Sequence, residues 1–445
     1  MSEKIVVLGG GESGVGAAIL AQIQGYNVFV SDSSIIKDKY KDELNQYSIN
    51  WEQQQHTKAE ILSANRIIKS PGIPLTAPIV KEAIALNIPI ISEIEFAAEF
   101  SNAKMICITG SNGKTTTASL IFHIMKQAKL NVGLAGNIGY SLARQVALTN
   151  HDYYVIELSS FQLDNMYKFK ANVAILLNIT PDHLDRYEYK FEKYADSKFR
   201  ITQNQKHEDH FIYWKDDMTI QEGIESRNLL ATMHPFTLKD IDFISDRTVH
   251  ICKSEIVINS ELKIPISKLN LIGTHNLLNT MAACTALNIL GLSQKDVVEG
   301  LQTFHSVEHR LEFVKSLKGI DFINDSKATN IDSCFYALQA MHKKTILILG
   351  GVDKGNDYNT LLPLINEKCK VLIFLGKDNN KLINFFSKTE IPYISVDNMK
   401  TAVQTAYQKA EAGDVVLLSP CCASFDLFTS YENRGDIFKE CVNTL

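Results

Sequence analysis

Short apolar runs alternate with segments of helical length along nearly the whole chain. Lys4–Leu8 leads into the helix-like Val15–Gln24 and then into Asn27–Val30, a β-α-β reading. Arg66–Lys69 ends at Ser70-Pro71-Gly72, a turn sequence, and Pro89–Ile91 supplies another strand. A second series opens at Met105–Thr109 and passes through the helical Lys114–Ala128. It continues with Val132–Ala135, Tyr153–Glu157 and Val173–Asn178. A third runs through Asp321–Ile323, Thr345–Leu349, Val371–Leu375 and Val415–Ser419. The stretch from His207 to Pro265 is polar and β-rich, and is expected to form an antiparallel addition to the middle series. The pattern predicts an α/β protein of three domains, spanning residues 1–94, 95–305 and 306–445.

Composition supports that count. At roughly 150 residues per domain, a chain of 445 residues holds about three. A hydrophobic share of 45% excludes wholesale disorder. Fifty acidic against 45 basic side chains leave a net charge of −5, which argues against a partner held by a strongly basic field, such as nucleic acid. No apolar run approaches the roughly 20 residues of a membrane span. The start, MSEKIVVLGG, goes straight into a strand and a glycine turn, with no leader pattern. Eight cysteines without a C-x-x-C pair fit reduced thiols. The expectation is a cytoplasmic monomer acting on small molecules.

Two strand–glycine–helix turns carry the candidate chemistry. Gly9-Gly10-Gly11-Glu12-Ser13-Gly14 has the G-x-G-x-x-G spacing, and Asp32 follows the second strand where a dinucleotide fold puts an acid on ribose. Backbone amides at a helix start accept any diphosphate. NAD, a UDP-sugar and a bare tight turn all remain open on this motif. The second turn, Thr109-Gly110-Ser111-Asn112-Gly113-Lys114-Thr115-Thr116, is more specific. Its amides can wrap ATP phosphates, Lys114 can neutralise β/γ charge, and the Thr115 hydroxyl can reach Mg²⁺. Ile108 stands where the strict phosphate-loop pattern has its first glycine. An NAD-dependent dehydrogenase would leave this loop unexplained. A nucleotide-driven switch would not need the first turn.

A metal site is foreshadowed nearby. Glu157 ends a strand and opens Glu157-Leu158-Ser159-Ser160-Phe161-Gln162-Leu163. Mg²⁺ prefers oxygen ligands, so Glu157 is the natural candidate and His183, in Asn178-Ile179-Thr180-Pro181-Asp182-His183-Leu184-Asp185, a less usual one. Lys198, by local chemistry alone, reads as an exposed helical lysine.

Together with Gly273-Thr274-His275-Asn276-Leu277-Leu278-Asn279, these segments resemble the Mur ligases, ATP-dependent amide-forming enzymes of peptidoglycan precursor synthesis. The resemblance covers essentially the whole chain. Asn324–Asn330, Leu349–Lys354 and Leu418–Ser424 are similar to the branch that adds D-glutamate to UDP-N-acetylmuramoyl-L-alanine, and the D-N-P-x-x-R motif of the diaminopimelate- and lysine-adding branches is absent.

The resemblance implies the following roles. Ser13, Gly14, Asp32 and Ser33 hold the diphosphate and uracil, with Ser70 and Gly72 lining the same site. Asn137, Ser159 and His183 hold the muramoyl–alanyl part. Gly110, Ser111, Asn112, Gly113, Lys114, Thr115 and Thr116 form the ATP loop, with Asn276, Asn279, Arg310 and Asp325 holding the rest of the nucleotide. Thr115, Glu157, His183 and a Lys198 carbamylated by CO₂ bind Mg²⁺, expected as two ions. Lys327, Thr329, Lys354, Ser424 and Tyr431 receive D-glutamate. The implied reaction phosphorylates the alanyl carboxylate to an acyl phosphate, which the amine then attacks. Two positions depart from the family pattern: Glu12 puts a carboxylate in the turn that should face a diphosphate, and Tyr431 stands where Phe is common.

Overall fold

The computed structural model describes residues 2–240, 247–258, 262–271, 273–305 and 308–445. The expected boundary at 306 therefore lies outside the described residues. Three sheets organise the chain. The amino-terminal sheet has the order Asn50–Gln53, Asn27–Asp32, Lys4–Leu8, Arg66–Lys69, Ile90–Ile91, all parallel. The continuous apolar run in Lys4–Leu8 follows from burial on both faces. Ile5 and Val7 pack with Val15 and Ile19 of the helix Glu12–Ile23, while Val6 and Leu8 pack with Ile61, Val80 and Ala83 on the other side. Strand order reverses beside Lys4–Leu8, so the glycine turn and Ser70-Pro71-Gly72 open into one crevice, where α/β sheets receive ligands.

The central sheet has nine strands among the described residues. Its parallel part runs Val132–Gly136, Tyr153–Glu157, Lys104–Thr109, Val173–Leu176, His210–Trp214, Thr232–Asp240, Val249–Cys252. Only Glu255–Ile258 and Leu262–Pro265 add antiparallel. This corrects the expectation of an antiparallel addition from residue 207. The helix Met218–Glu225 makes a right-sized crossover between His210–Trp214 and Thr232–Asp240, and Asp217 starts it by accepting from Ile220 N at 3.0 Å.

The carboxy-terminal sheet has the order Glu312–Leu317, Ile320–Asn324, Val415–Cys421, Thr345–Gly350, Cys369–Leu375, Tyr393–Val396, parallel except for its first pair. Leu347 and Leu349 face Leu338 and Tyr358; Ile346 and Ile348 face Val403 and Phe438.

These sheets group into two compact units. One comprises Met1–Leu269 with Leu278–Thr303, the other Asn270–Leu277 with Phe304–Leu445. The first unit holds two sheets because one core is continuous between them, running from Val15 and Ile19 through Leu142 and Ala143 to Tyr154. The approach of helix Glu12–Ile23 to helix Leu142–Leu148 requires Gly16, where a Cβ would lie 1.9 Å from Ser141 Oγ.

Candidate active site

In the first unit the Gly110–Lys114 loop is held in shape by Asn178, at the end of the neighbouring strand. Ser111 N donates to Asn178 O at 2.9 Å, Asn112 N donates to Asn178 Oδ1 at 2.8 Å, and Asn178 Nδ2 donates back to Asn112 O at 3.0 Å. Ser111 Oγ bonds Thr180 O at 2.8 Å and lies 3.1 Å from Tyr194 OH. Gly113 has φ +87°, and a Cβ there would sit 2.2 Å from Asn279 Oδ1, which brings that predicted nucleotide residue against the loop. Lys114 Nζ donates to Gly110 O at 2.7 Å and Ser111 O at 2.8 Å. The helix Lys114–Gln127 begins here, so its first amides and a cation converge, the arrangement that binds phosphate.

Lys198 overturns its local reading. It is 1% exposed, Nζ donates to Gly110 O at 2.8 Å, and the ammonium lies 4.5 Å from the Tyr194 ring centre. Burial, reinforced by Lys114 and opposed by Asp182 and Asp164, holds its pKa well below the ordinary lysine value. Two lysines thus share one loop carbonyl. Glu157 is 1% exposed; Oε1 accepts from Asn137 Nδ2 at 3.1 Å, while Oε2 is buried with no hydrogen-bond partner among the described residues. An orphaned buried carboxylate oxygen beside a phosphate loop fits a divalent cation. His183 has φ +51°, packs edge-on against Phe161 at 5.1 Å, and has Nε2 3.6 Å from Asp182 Oδ2.

Around the first glycine turn, both acids have partners within the protein. Asp32 is engaged by backbone: Oδ2 accepts from Gly10 N at 2.7 Å and Oδ1 from Ser34 N at 2.8 Å, so it shapes the turn. Glu12 does not face the crevice unpaired. Its carboxylate accepts from Arg144 Nε at 2.7 Å, Arg144 Nη2 at 3.1 Å and Ser141 N at 3.1 Å. Beside Ser70-Pro71-Gly72, Lys69 is 3% exposed and donates to Ile73 O at 2.8 Å; burial, then Arg186, lowers its pKa to about 8. Arg186 Nη1 donates to Gly72 O at 3.3 Å and stacks 4.4 Å from the Phe161 ring centre. Ser159 caps the short helix Ser160–Leu163 through a reciprocal box with Gln162. Ser13 lies in the first turn of the helix Glu12–Ile23, and Ser33 in the loop after Asn27–Asp32.

In the second unit, Lys327 Nζ lies 5.2 Å from the ring centre of Tyr431, so the residue at the usual Phe position still offers an aromatic face to the cation. The loop carrying Lys354 is tied to that carrying Ser424: Val352 N donates to Ala423 O at 2.8 Å and Ala423 N to Val352 O at 3.1 Å. Thr329 follows in the Asp325–Asn330 turn, beside the capping Asn330. Asp325 is 3% exposed, accepts from Ser419 Oγ at 2.9 Å and Leu311 N at 3.2 Å, and burial raises its pKa to about 7 against the opposing charge of Arg310. Asn276 belongs to this unit as well.

Sequence reasoning missed Arg434, Arg144 and Lys69. Arg434 is 1% exposed and donates to Ser326 Oγ at 2.9 Å, Ser326 O at 2.8 Å and Cys422 O at 3.1 Å, bracing the strand ends that carry Lys327 and Ser424. Its only signal was an arginine early in the last helix, which reads as solvent-facing.

Three comparisons bear on this geometry. Residues 3–92 match a family model described as the Mur ligase MurD-like N-terminal domain. Residues 108–287 match the Mur ligase middle domain, and 309–422 the Mur ligase glutamate ligase domain. The chain is 55% identical over 448 residues to the UDP-N-acetylmuramoylalanine–D-glutamate ligase of Bacteroides thetaiotaomicron, covering 100% of both. It is 54% identical to the like-named protein of Porphyromonas gingivalis, covering 99% of this chain and 98% of that one. Among solved structures it resembles UDP-N-acetylmuramate-alanine ligase MurC from Thermotoga maritima, with TM-score 0.63, 18% identity and 99% coverage of each chain. A pseudomurein peptide ligase type C from Methanothermus fervidus gives TM-score 0.62 at 19% identity and 100% coverage of each. The structural likenesses carry the fold alone. The full-length identities and the three successive family models carry more, and by them the chain belongs to the Mur ligase family.

Proposed function

We propose that the chain is an ATP-dependent ligase that joins D-glutamate to the alanyl carboxylate of UDP-N-acetylmuramoyl-L-alanine, releasing ADP and phosphate, in the cytoplasm. The observation that carries this reading is full-length identity of 55% to a relative bearing that name, in a chain with two lysine side chains on its phosphate loop. We divide it into a UDP-sugar domain at 1–94, an ATP domain at 95–305 and an amino-acid domain at 306–445.

A carboxylate is too stable, and oxide too poor a leaving group, for direct amide formation. Transfer of the γ-phosphoryl group makes an acyl phosphate and turns the leaving group into phosphate. Two anions must meet for this, and Lys114 screens them once its loop carbonyls yield to the nucleotide. Mg²⁺, when bound by Thr115, Glu157, His183 and Lys198, adds neutralising charge at the phosphates. Lys198 serves as a carbamate: its neutral amine adds to CO₂ and releases a proton, converting a buried would-be cation into an oxyanion. Asn137, through its bond to Glu157, and Ser159 orient the alanyl end. Lys354, Thr329 and Ser424 take the side-chain carboxylate of D-glutamate and Lys327 the α-carboxylate. With both carboxylates held, only one enantiomer directs its amine at the acyl carbon.

The test is phosphate release with UDP-N-acetylmuramoyl-L-alanine, ATP and a panel of amino acids. D-Glutamate alone should support turnover, with ADP as the nucleotide product. Equal use of L-glutamate, or formation of AMP, overturns the reading.

A further inference from the structure

Arg144 lies outside every motif used above, yet it joins three elements of the UDP-sugar region. Its Nε and Nη2 grip Glu12, the residue after the Gly9-Gly10-Gly11 turn, and its Nη1 donates to Glu43 Oε2 at 2.5 Å. Glu43 belongs to the helix Asp38–Gln46, which follows the Asp32–Ser33 loop. Arg144 itself sits one turn into the helix after the Gly136-Asn137-Ile138-Gly139 loop, whose Asn137 holds Glu157. The side chains of Arg144, Glu12 and Glu43 are 13%, 28% and 30% exposed, so the pairs are shielded and one is a two-pronged fork. Ser141 adds a second tie, with its amide on Glu12 and its hydroxyl pressed against Gly16.

We infer that Arg144 is a positioning residue that sets the distance between the diphosphate turn and the loop that aims the alanyl carboxylate. This rests on the UDP-sugar reading of that turn. One molecule must be gripped at its nucleotide end by the first sheet and delivered at its acyl end to the second. A rigid strut between the two loops, through Glu12 and Arg144, keeps those grips in register. It also explains why a carboxylate is tolerated in a turn meant for phosphate: Glu12 is turned away and neutralised. Loss of the strut leaves the nucleotide grip intact but misplaces the reacting end, and a misplacement of about 1 Å costs up to roughly 100-fold in rate.

The test is steady-state kinetics of Arg144→Ala and Arg144→Lys, with UDP alone as a competitive inhibitor probing the nucleotide grip. Arg144→Ala combined with Glu12→Gln removes the strut without leaving an unpaired carboxylate in the phosphate turn. The pair should lower kcat/KM for the UDP-sugar by about 10- to 100-fold, with the inhibition constant of UDP and the KM for ATP unchanged. Arg144→Ala alone should show the same loss and, with Glu12 no longer neutralised, a raised inhibition constant for UDP. Arg144→Lys, which keeps the charge but loses the fork, should fall between. Should Arg144→Ala fail to fold, Glu12→Gln carries the test, with a several-fold loss in the same constant and none in UDP inhibition. Unchanged kcat/KM in folded Arg144→Ala overturns the inference, as does a parallel loss of UDP and ATP affinity, which would mean general loosening. Absence of ligation by the wild-type protein would instead overturn the functional reading itself.

Discussion

The two glycine turns of the first unit use one backbone device under opposite electrostatics. At Gly9–Gly14 the side chains are acids, Asp32 and Glu12, both occupied: one by turn amides, the other by Arg144. At Gly110–Lys114 the side chains are lysines, both resting on Gly110 O. A turn without its own cation holds an anion by geometry and adds little that grows as a reaction proceeds. A turn with a cation and a second, desolvated amine can respond to charge that develops. On the proposed function, the same local shape serves binding in one place and catalysis in the other.

The comparison breaks most visibly at Lys114. Lys114→Ala should reduce kcat by about two to three orders of magnitude, because the lost interaction strengthens as phosphoryl transfer proceeds. Near-wild-type turnover in a phosphate-release assay would erase the distinction between the turns.

Lys198→Ala should be nearly as damaging, and a short carboxylic acid added to the buffer should restore part of the rate by supplying the missing oxyanion. Labelled CO₂ should give a carbamate carbon signal in wild type that is absent from the variant. Full activity without Lys198 returns it to a structural role.

On the binding side, Asp32→Asn should act on KM alone. Exchanging the carboxylate that shapes the Gly9–Gly11 turn for a neutral amide weakens a charge-assisted bond worth about 1–3 kcal/mol. The KM for the UDP-sugar should rise roughly tenfold with kcat preserved. A fall in kcat with constant KM would show that the first turn also acts on the transition state.

The smallest effect concerns the seam between the two sheets. Glu93 is buried, accepts from Ala143 N at 2.5 Å, and burial raises its pKa from 4.5 to about 8. The fold prefers its protonated form, so this contribution is full below about pH 4.5 and is lost as the pH climbs to 8. The slope cannot exceed about 1.4 kcal/mol per pH unit. Glu93→Gln, neutral throughout and still able to accept from Ala143, should flatten that decline. Its Tm relative to wild type should become more favourable from pH 5 to pH 8, with no change in the KM for ATP.

Much was legible in the chain itself because strand–turn–helix units are built from neighbours. The apolar run Lys4–Leu8 announces a strand covered on both faces, and Gly113-Lys114-Thr115 announces amides and a cation at one helix start, whatever surrounds them. The proposed amino-acid site was legible only through family motifs, since Lys327, Lys354 and Ser424 follow separate strands and share no local pattern.

Tertiary structure alone decided three matters. Lys198 sits in a polar helix whose sequence suits solvent, yet packing against Tyr194 and the Gly110 carbonyl desolvates it. His210–Trp214 and Thr232–Asp240 pair in parallel because the short helix Met218–Glu225 between them returns the chain in the same direction. Glu12 reads as a fault in a phosphate turn until folding brings Arg144 to it across 132 positions of sequence. Charges so far apart carry no local signature; whether they attract, repel or ignore each other is settled by the packing of the helices that bear them.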